Sequence, residues 1–156
     1  MTTIYIFDLD DTVVNSRHRI PLTPEGNLDL PAYRELATPA NIDKDTLLPL
    51  AKEMQRLIAE GKEVAILTAR TMTDHDYHYL RVNGIMPKTV MSRNYITDEH
   101  SNLPDGMYKL RHLKEAGLLG ENVVLFDDNR NVKRDFRRAG VPVVCSIKVN
   151  KKLGAI

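Results

Sequence analysis

The amino-acid sequence predicts an α/β domain with a mainly parallel central sheet, on three observations. Short apolar runs alternate along the chain with longer stretches of helical periodicity, which is the pattern of strand–helix–strand units. The runs are continuously apolar, as expected for strands that helices cover on both faces. Glycines follow the helical stretches and end them. Ligands bind beyond the carboxyl ends of the strands in such sheets, so we expect reactive residues where strands stop.

Five short runs are predicted to be strands. They are Ile4–Phe7, Glu63–Leu67, Thr89–Met91, Val123–Phe126 and Val141–Ser146. Four helices are predicted between and after them, each followed by a glycine that favours a helix end. They are Asp43–Glu60, a helix capped by Thr73 that runs to Asn83, Met107–Ala116 and Asn131–Ala139.

Length and composition indicate one globular domain over residues 1–156, with 42% hydrophobic residues to build its core. The formal net charge of +1 gives no overall attraction to nucleic acid or to membranes. The single cysteine, Cys145, excludes an intrachain disulfide and a multi-cysteine metal site. No apolar stretch approaches the roughly 18 residues of a membrane span, and the N-terminus lacks signal-peptide features. We therefore expect a cytoplasmic protein with no membrane contact, and no obligate protein partner is evident.

One segment, residues 15–41, fits neither the strand nor the helix pattern. It contains four prolines, a glycine and many polar residues. It is too short for a separate domain and long for a plain loop, so we interpret it as a flap or small lid over the site. A structureless surface excursion is an equally good interpretation of its distal half.

Two acidic pairs follow predicted strands. Asp8 and Asp10 come directly after the first strand, and Asp127 and Asp128 follow the fourth. Clustered carboxylates repel one another, and a divalent cation such as Mg²⁺, which prefers oxygen ligands, offsets that repulsion. Each pair alone has an ordinary alternative, an acidic turn for the first and a helix N-cap for the second. Both pairs at strand ends in one short chain favour a metal site.

Two further polar residues are expected at the same edge of the sheet. Thr68 follows the second strand, where a hydroxyl near backbone N–H groups is able to hold a phosphoryl oxygen. Lys109 lies early in the helix after the third strand and is a candidate to neutralise the acids, with Lys114 as its rival. Most strand-end threonines are structural and most lysines are solvated, so each is weak evidence alone.

Together these residues resemble the four motifs of the haloacid dehalogenase-like (HAD) superfamily of phosphohydrolases. The motifs appear in order along nearly the whole chain, as Ile6–Val13, Ile66–Thr68, Lys109 and Leu125–Asp128. The resemblance implies a Rossmann-like three-layer sandwich with a mainly parallel central sheet and a minimal cap, here the flap insertion. Asp11 departs from the family pattern, since glycine is commonest there, and no glycine or serine precedes the Asp127-Asp128 pair.

The resemblance also implies roles. Asp8 is expected to attack phosphorus and become an aspartyl-phosphate, and Asp10 to act as general acid and base. Thr68 and Lys109 are expected to bind phosphoryl oxygens. The implied Mg²⁺ ligands are Asp8, the backbone carbonyl of Asp10, Asp127 and, directly or through water, Asp128. An acid at position 10 favours a phosphatase over a dehalogenase, which needs no such proton donor.

The substrate is less well determined by the sequence. Arg17-His18-Arg19 and Thr68-Ala69-Arg70 are similar to segments of the phosphatase domains of polynucleotide kinases, many of phage type, which remove 3′-phosphates. We therefore predict that Arg17, Arg19 and Arg70 bind substrate and that the substrate is a phosphorylated nucleic-acid end or a nucleotide. The basic cluster Lys133, Arg134, Arg137 and Arg138 is more simply a solvated helix face.

Three alternatives remain open at this point. A nucleoside monophosphate phosphatase differs from a 3′-phosphatase only in the size of its substrate. A catalytically silent module that binds a phosphorylated ligand needs no acid at position 10, and a phosphotransferase passes phosphate to an alcohol. A histidine metal site is not supported, because His75 and His78 lack a convincing third ligand.

Overall fold

The computed structural model describes residues 2–93 and 103–154. In chain order these residues form the strands β1 (Ile4–Phe7), β2 (Val14–Asn15), β3 (Thr46–Leu47), β4 (Glu63–Leu67), β5 (Thr89–Met91), β6 (Val123–Asp127) and β7 (Val143–Cys145). The α-helices are α1 (Leu30–Leu36), α2 (Pro39–Ile42), α3 (Leu50–Ala59), α4 (Asp74–Val82), α5 (Asp105–Glu115), α6 (Arg130–Arg138) and α7 (Ser146–Lys152), with a 3₁₀ helix at Arg17–Arg19.

The central sheet has five strands in the order β5-β4-β1-β6-β7, and every neighbouring pair is parallel. The apolar run β1 lies at its centre, with Ile6 opposite Ala65 on one side and Leu125 on the other. Because parallel strands end at the same edge, the residues that follow β1, β4 and β6 are brought together there. The predicted parallel α/β fold is confirmed.

Helices cover both faces of the sheet. Successive residues of a strand point to opposite faces, so Phe7 packs in a cluster with α3 and α4, and Ile6 packs in a second cluster with α5 and α6. Phe7 and Ile6 are fully buried. This arrangement is the three-layer sandwich that the sequence predicts.

The predicted boundaries hold for most elements and fail at one. The first three predicted strands match, β6 extends one residue further to Asp127, and β7 is shorter than predicted. The prediction of one helix over Asp43–Glu60 is wrong in its first third. Residues 46–47 form β3 instead, because they pair with β2, and α3 starts only after Pro49.

The other helices differ from the predictions by one or two residues at their ends. Thr73 caps α4 as predicted, in a capping box with Asp76. α5 begins at Asp105 and α6 at Arg130, where the Asn129 side chain accepts the first backbone N–H groups. Within the described ranges, no helix has the length and apolar character that crossing a membrane requires.

The residues between β1 and α3 form a compact insertion. Its base is closed by the antiparallel pair β2–β3, and its distal half contains α1 and α2, capped by Asp29 and Thr38. Tyr33 and Ile42 are buried, so this half packs against the domain and is not a structureless excursion. The predicted flap, residues 15–41, is therefore an ordered part of the insertion.

Candidate active site

Asp8, Asp127 and Lys109 meet in the interior at the carboxyl edge of the sheet. The Lys109 Nζ atom lies 2.7 Å from Asp127 Oδ2 and 3.1 Å from Asp8 Oδ1, and all three side chains are buried. Asp8 and Asp127 are placed there by the hydrogen-bonded neighbours β1 and β6, and Lys109 reaches them from α5. The rival candidate Lys114 is exposed.

The electrostatics of this cluster favour an added cation. Burial raises the pKa of Asp8 well above its usual value; Lys109 opposes the shift, and Asp127 and Asp128 add to it. Burial and Asp127 also raise the pKa of Asp128 to about 6. Burial alone lowers the pKa of Lys109, but the two acids it contacts more than reverse that effect. One lysine therefore does not compensate the three carboxylates.

The donor set fits a hard divalent cation. One carboxylate oxygen from each of Asp8, Asp127 and Asp128 lies within 4.8 Å of the others. Oxygen ligands with net negative charge are what Mg²⁺ binds in proteins. Asp127 is held in place by Lys109 at one oxygen and by the Asn129 backbone N–H, 2.8 Å from the other. Among the described residues no histidine or cysteine joins such a group.

Asp10 lies beside this cluster in a different environment. Its side chain is 31% exposed, and Oδ1 accepts hydrogen bonds from Arg70 Nη2 at 2.5 Å and from Ser16 Oγ. Burial raises the pKa of Asp10, but the charge and hydrogen bonds of Arg70 and the Ser16 bond outweigh it, so the pKa is lowered overall. Asp8 and Asp10 thus have pKa values shifted in opposite directions.

Arg70 belongs to a buried network of ion pairs behind Asp10. Its Nη1 atom lies 2.8 Å from Asp76 Oδ1 at the start of α4. Arg19, which is only 1% exposed, donates to both oxygens of Asp45 at 3.0 and 2.8 Å. Arg19 also lies 3.8 Å from Asp76, and Arg70 lies 3.9 Å from Asp45. The network therefore joins the insertion, which supplies Arg19 and Asp45, to the carboxyl edge of the sheet.

The three arginines predicted to bind substrate differ in exposure. Arg17 is 75% exposed and pairs with Asp11 at 3.0 Å. The guanidinium groups of Arg19 and Arg70 are engaged mainly by carboxylates. The Arg19 Nη1 atom is buried without a hydrogen-bond partner among the described residues, which leaves one donor for a ligand or a water molecule. Substrate contact by the three arginines stays a prediction.

Thr68 and Asp11 occupy constrained positions. The buried Thr68 Oγ1 accepts the Arg70 backbone N–H at 3.0 Å, which fixes the turn after β4. Asp11 has φ +58°, in the left-handed region that glycine adopts most easily and aspartate tolerates. This conformation explains why glycine is the commoner residue at that place in the motif.

His75 and His78 lie on α4 and do not join the group of Asp8, Asp127 and Asp128. His75 Nε2 is 2.7 Å from Asp43 Oδ1, and its ring lies 5.4 Å from that of His78. These contacts connect α4 to the end of α2, and within the described ranges neither histidine joins a group of metal ligands. His100, another histidine of the chain, lies outside the described residues.

Sequence reasoning missed Ser16, Asp45 and Asp76. Asp76 carries a recognisable signal, because it stands three residues after Thr73 in a capping box; its second oxygen, however, accepts from Arg70. Ser16 and Asp45 follow no local pattern. Both are buried, and only the folded insertion brings them to Asp10 and Arg19.

A family model described as bacteriophage T5 5′-deoxynucleotidase matches residues 1–155. The chain is also similar to the 5′-deoxynucleotidase of Escherichia phage T5, with 40% identity over 89 residues. That alignment covers 54% of this chain and 36% of the phage protein, so the chain matches about a third of that relative's length.

Solved structures with the same fold include several HAD hydrolases. A haloacid dehalogenase-like family hydrolase from Streptococcus pneumoniae superposes with a TM-score of 0.67 at 13% identity, covering 97% of this chain and 91% of that chain. Pnkp1 in a Pnkp1/Rnl/Hen1 complex superposes with a TM-score of 0.68 at 18% identity, covering 94% of this chain and 45% of that chain. CbbY from Rhodobacter sphaeroides, in complex with phosphate, superposes with a TM-score of 0.63 at 14% identity, covering 93% of this chain and 86% of that chain. At these identities the likeness establishes the fold alone, and this fold is the one that the resemblance to the HAD superfamily implies.

Proposed function

The chain belongs to the bacteriophage T5 5′-deoxynucleotidase family, and from this premise we propose that it is a Mg²⁺-dependent phosphatase of nucleoside 5′-monophosphates, deoxynucleotides above all. The observation that carries the chemistry is the buried group of Asp8, Asp127 and Lys109, with Asp128 beside it. Family membership favours the nucleotide over the phosphorylated nucleic-acid end. A 3′-phosphatase activity stays a prediction that the comparisons do not test.

In the proposed reaction a carboxylate oxygen of Asp8 attacks phosphorus, and the bond from phosphorus to the 5′-oxygen of the nucleoside breaks. The products are an aspartyl-phosphate and a nucleoside whose oxygen takes a proton from Asp10. Water then gives its proton to Asp10 and attacks the phosphoryl group, which releases inorganic phosphate and restores Asp8. Lys109, 3.1 Å from Asp8 Oδ1, holds this carboxylate in place and screens the charge of the incoming phosphate.

Asp10 needs a proton for the first step, although Arg70 and Ser16 favour its ionised form. An incoming phosphate opposes their effect, because a nearby negative charge raises the pKa of a carboxyl group. The partial exposure of Asp10 gives it access to solvent protons. Arg70 and Ser16 then serve to hold the carboxyl group in one orientation for proton transfer.

Mg²⁺ at this edge would be held by Asp8, Asp127, Asp128 and the backbone carbonyl of Asp10. When bound, it neutralises negative charge on the transferring phosphoryl group. Thr68 and Lys109 are proposed to contact the phosphoryl oxygens. Arg19, which is only 1% exposed, is proposed to act through the ion-pair network that holds Arg70 beside Asp10. Arg17, which is exposed at the rim of the site, is proposed to contact the nucleoside part of the substrate.

The test is a substrate panel measured by release of free phosphate with Mg²⁺ present. It compares deoxynucleoside 5′-monophosphates, ribonucleoside 5′-monophosphates and one oligonucleotide carrying a 3′-phosphate, with Asp8→Asn as the inactive control. We expect kcat/KM to be highest for a deoxynucleoside monophosphate and EDTA to abolish turnover. A higher kcat/KM for the oligonucleotide would contradict the proposed substrate. Binding without turnover would indicate a silent module, and phosphate found on an added alcohol would indicate a phosphotransferase.

A further inference from the structure

Charge is strongly segregated along this nearly neutral chain. Over residues 130–152, eight lysines and arginines stand against a single acid, Asp135, which gives a net charge of +7. Because the whole chain carries +1, the remainder carries −6. Near-neutral total charge therefore conceals a basic region, and local patches of this kind attract polyanions.

The basic region surrounds the edge strand β7. α6 precedes β7 and packs beside α5 on one face of the sheet, whereas α7 follows β7 and contacts α3 on the other. The Lys133 Nζ atom lies 3.1 Å from the Cys145 Sγ atom at the end of β7, so cations approach the strand directly. Both helices begin at the carboxyl edge of the sheet, because β6 and β7 end there in register, with Asp127 opposite Cys145. The basic region thus starts beside the candidate active site.

Most of these cations form no ion pair with another described residue, in contrast to arginines of α3 and α5. Arg56 on α3 pairs with Glu53 and Glu60, and Arg111 on α5 pairs with Glu115. Within the described residues, only one of the eight cations of the basic region, Arg134, forms an ion pair, with its neighbour Asp135. The surfaces of α6 and α7 therefore differ from an ordinary solvated helix face, on which positive and negative side chains alternate.

Helix stability does not explain all of these positions. Arg130 and Lys133 lie in the first turn of α6 and Lys148 lies in the first turn of α7, and neither first turn contains an acid. A cation at a helix N-terminus opposes the helix dipole and is unfavourable there. The cations in the last turns, Arg137 among them, are favoured by the same dipole. A bound polyanion offsets the unfavourable positions.

We infer that α6, β7 and α7 form a docking surface for single-stranded nucleic acid, held by its phosphate backbone. An extended, flexible polyanion such as single-stranded DNA is able to contact cations on both sides of β7 at once. An anionic membrane suits them less. The exposed side chains of α6 are polar or charged, its apolar Val132 and Phe136 are buried, and α7 adds Ile147 as its one exposed apolar side chain, which is too little apolar surface to insert into lipid. This surface is distinct from the proposed nucleotide site and does not depend on that activity.

The experiment measures the anisotropy of a fluorescent 20-nucleotide DNA with hydroxyl ends, which offers no terminal phosphate to hydrolyse. Two triple variants change the surface: Lys148→Glu with Lys151→Glu and Lys152→Glu on α7, and Arg130→Glu with Lys133→Glu and Arg137→Glu on α6. The matched control carries the same charge change at exposed cations near β4 and the opposite edge strand β5: Lys62→Glu with Arg81→Glu and Lys88→Glu.

We expect the unmodified protein to bind this DNA and to lose about 10²-fold in affinity between 50 and 200 mM salt, as for roughly five or six phosphate contacts to a single strand. Each surface variant is expected to bind about 30-fold more weakly or worse with a shallower salt dependence, and the control to stay within about threefold. Circular dichroism checks that each variant is folded, and nucleotide hydrolysis is recorded separately. A failed nucleotidase assay leaves this outcome unaffected.

Three results would overturn the inference. One is no detectable binding of DNA at 50 mM salt. Another is equal weakening by the control and the surface variants, which would mean that net charge alone acts. The third is binding to vesicles of anionic lipid by a protein that does not bind the oligonucleotide.

Discussion

Replacement of Asp45 by asparagine tests the buried ion-pair network most directly. The Asp45 side chain is fully buried and accepts hydrogen bonds from Arg19 at 3.0 and 2.8 Å and from His18 at 2.8 Å. Asparagine keeps the shape but removes the negative charge and supplies one acceptor in place of two. The Arg19 guanidinium, 1% exposed, is then left buried with Asp76 as its nearest carboxylate, 3.8 Å away.

The expected cost follows from the burial of both partners. Breaking a buried ion pair by removing one member typically destabilises by 3–5 kcal/mol, and the residual contact to Asp76 places this case near the lower end, at about 3 kcal/mol. For a chain of this size that is a decrease in Tm of roughly 6–12 °C. The exposed pair of Glu53 and Arg56 is the matched control, because surface pairs contribute about 0–1 kcal/mol.

The assay is urea unfolding followed by circular dichroism, with Glu53→Gln in parallel. A loss below about 1 kcal/mol for Asp45→Asn, similar to that of the control, would refute the reasoning. The double variant Arg19→Met with Asp45→Leu separates charge from packing. It removes both charges, so we expect its free energy of unfolding to exceed that of Asp45→Asn.

Three further predictions concern the site. Asp8→Asn should lower kcat by more than about 10³-fold in a phosphate-release assay while the protein stays folded, since the covalent route is lost; wild-type turnover would exclude that route. The pKa of Asp128 is raised to about 6 in the folded state, so the folded protein binds a proton there more tightly than the unfolded chain does. The stability that this proton contributes is present at low pH and is lost as the pH rises through 6. In EDTA the protein should therefore be more stable at pH 5 than at pH 7.5, by about 1–3 kcal/mol, and Asp128→Asn should flatten this dependence in thermal melts. Arg70→Lys should lower kcat about 10–100-fold and change KM less, because lysine cannot hold Asp10 and Asp76 together; a change confined to KM would point to substrate binding instead.

The sequence was sufficient to predict the sheet and the group of acids at its edge. Strands such as β1 and β6 are local apolar runs, and parallel topology brings together the residues that follow them, so the proximity of Asp8 and Asp127 follows from the sequence pattern. Lys109 followed from the motif resemblance, and its contacts at 2.7 and 3.1 Å agree with that placement.

The insertion was predicted less well, for a physical reason. Residues 43–49 have helical periodicity, but β2 pairs with residues 46–47, and Asp45 is drawn inside by Arg19. Both partners lie about 30 residues away along the chain and have no local signature. Tertiary contacts therefore decided a segment whose local pattern favoured a helix.

The ion pairs that tie the insertion to the sheet bear on how a ligand enters. Arg19 and Asp45 belong to the insertion, whereas Arg70 follows β4 and Asp76 lies in α4. Any opening that separated these two pairs would leave unpaired charges in the interior. At about 3 kcal/mol for such a separation, fewer than about one molecule in a hundred is open at any instant. The Asp10 carboxylate is accordingly held in one position before any ligand arrives, and we expect a ligand to enter without displacing the insertion.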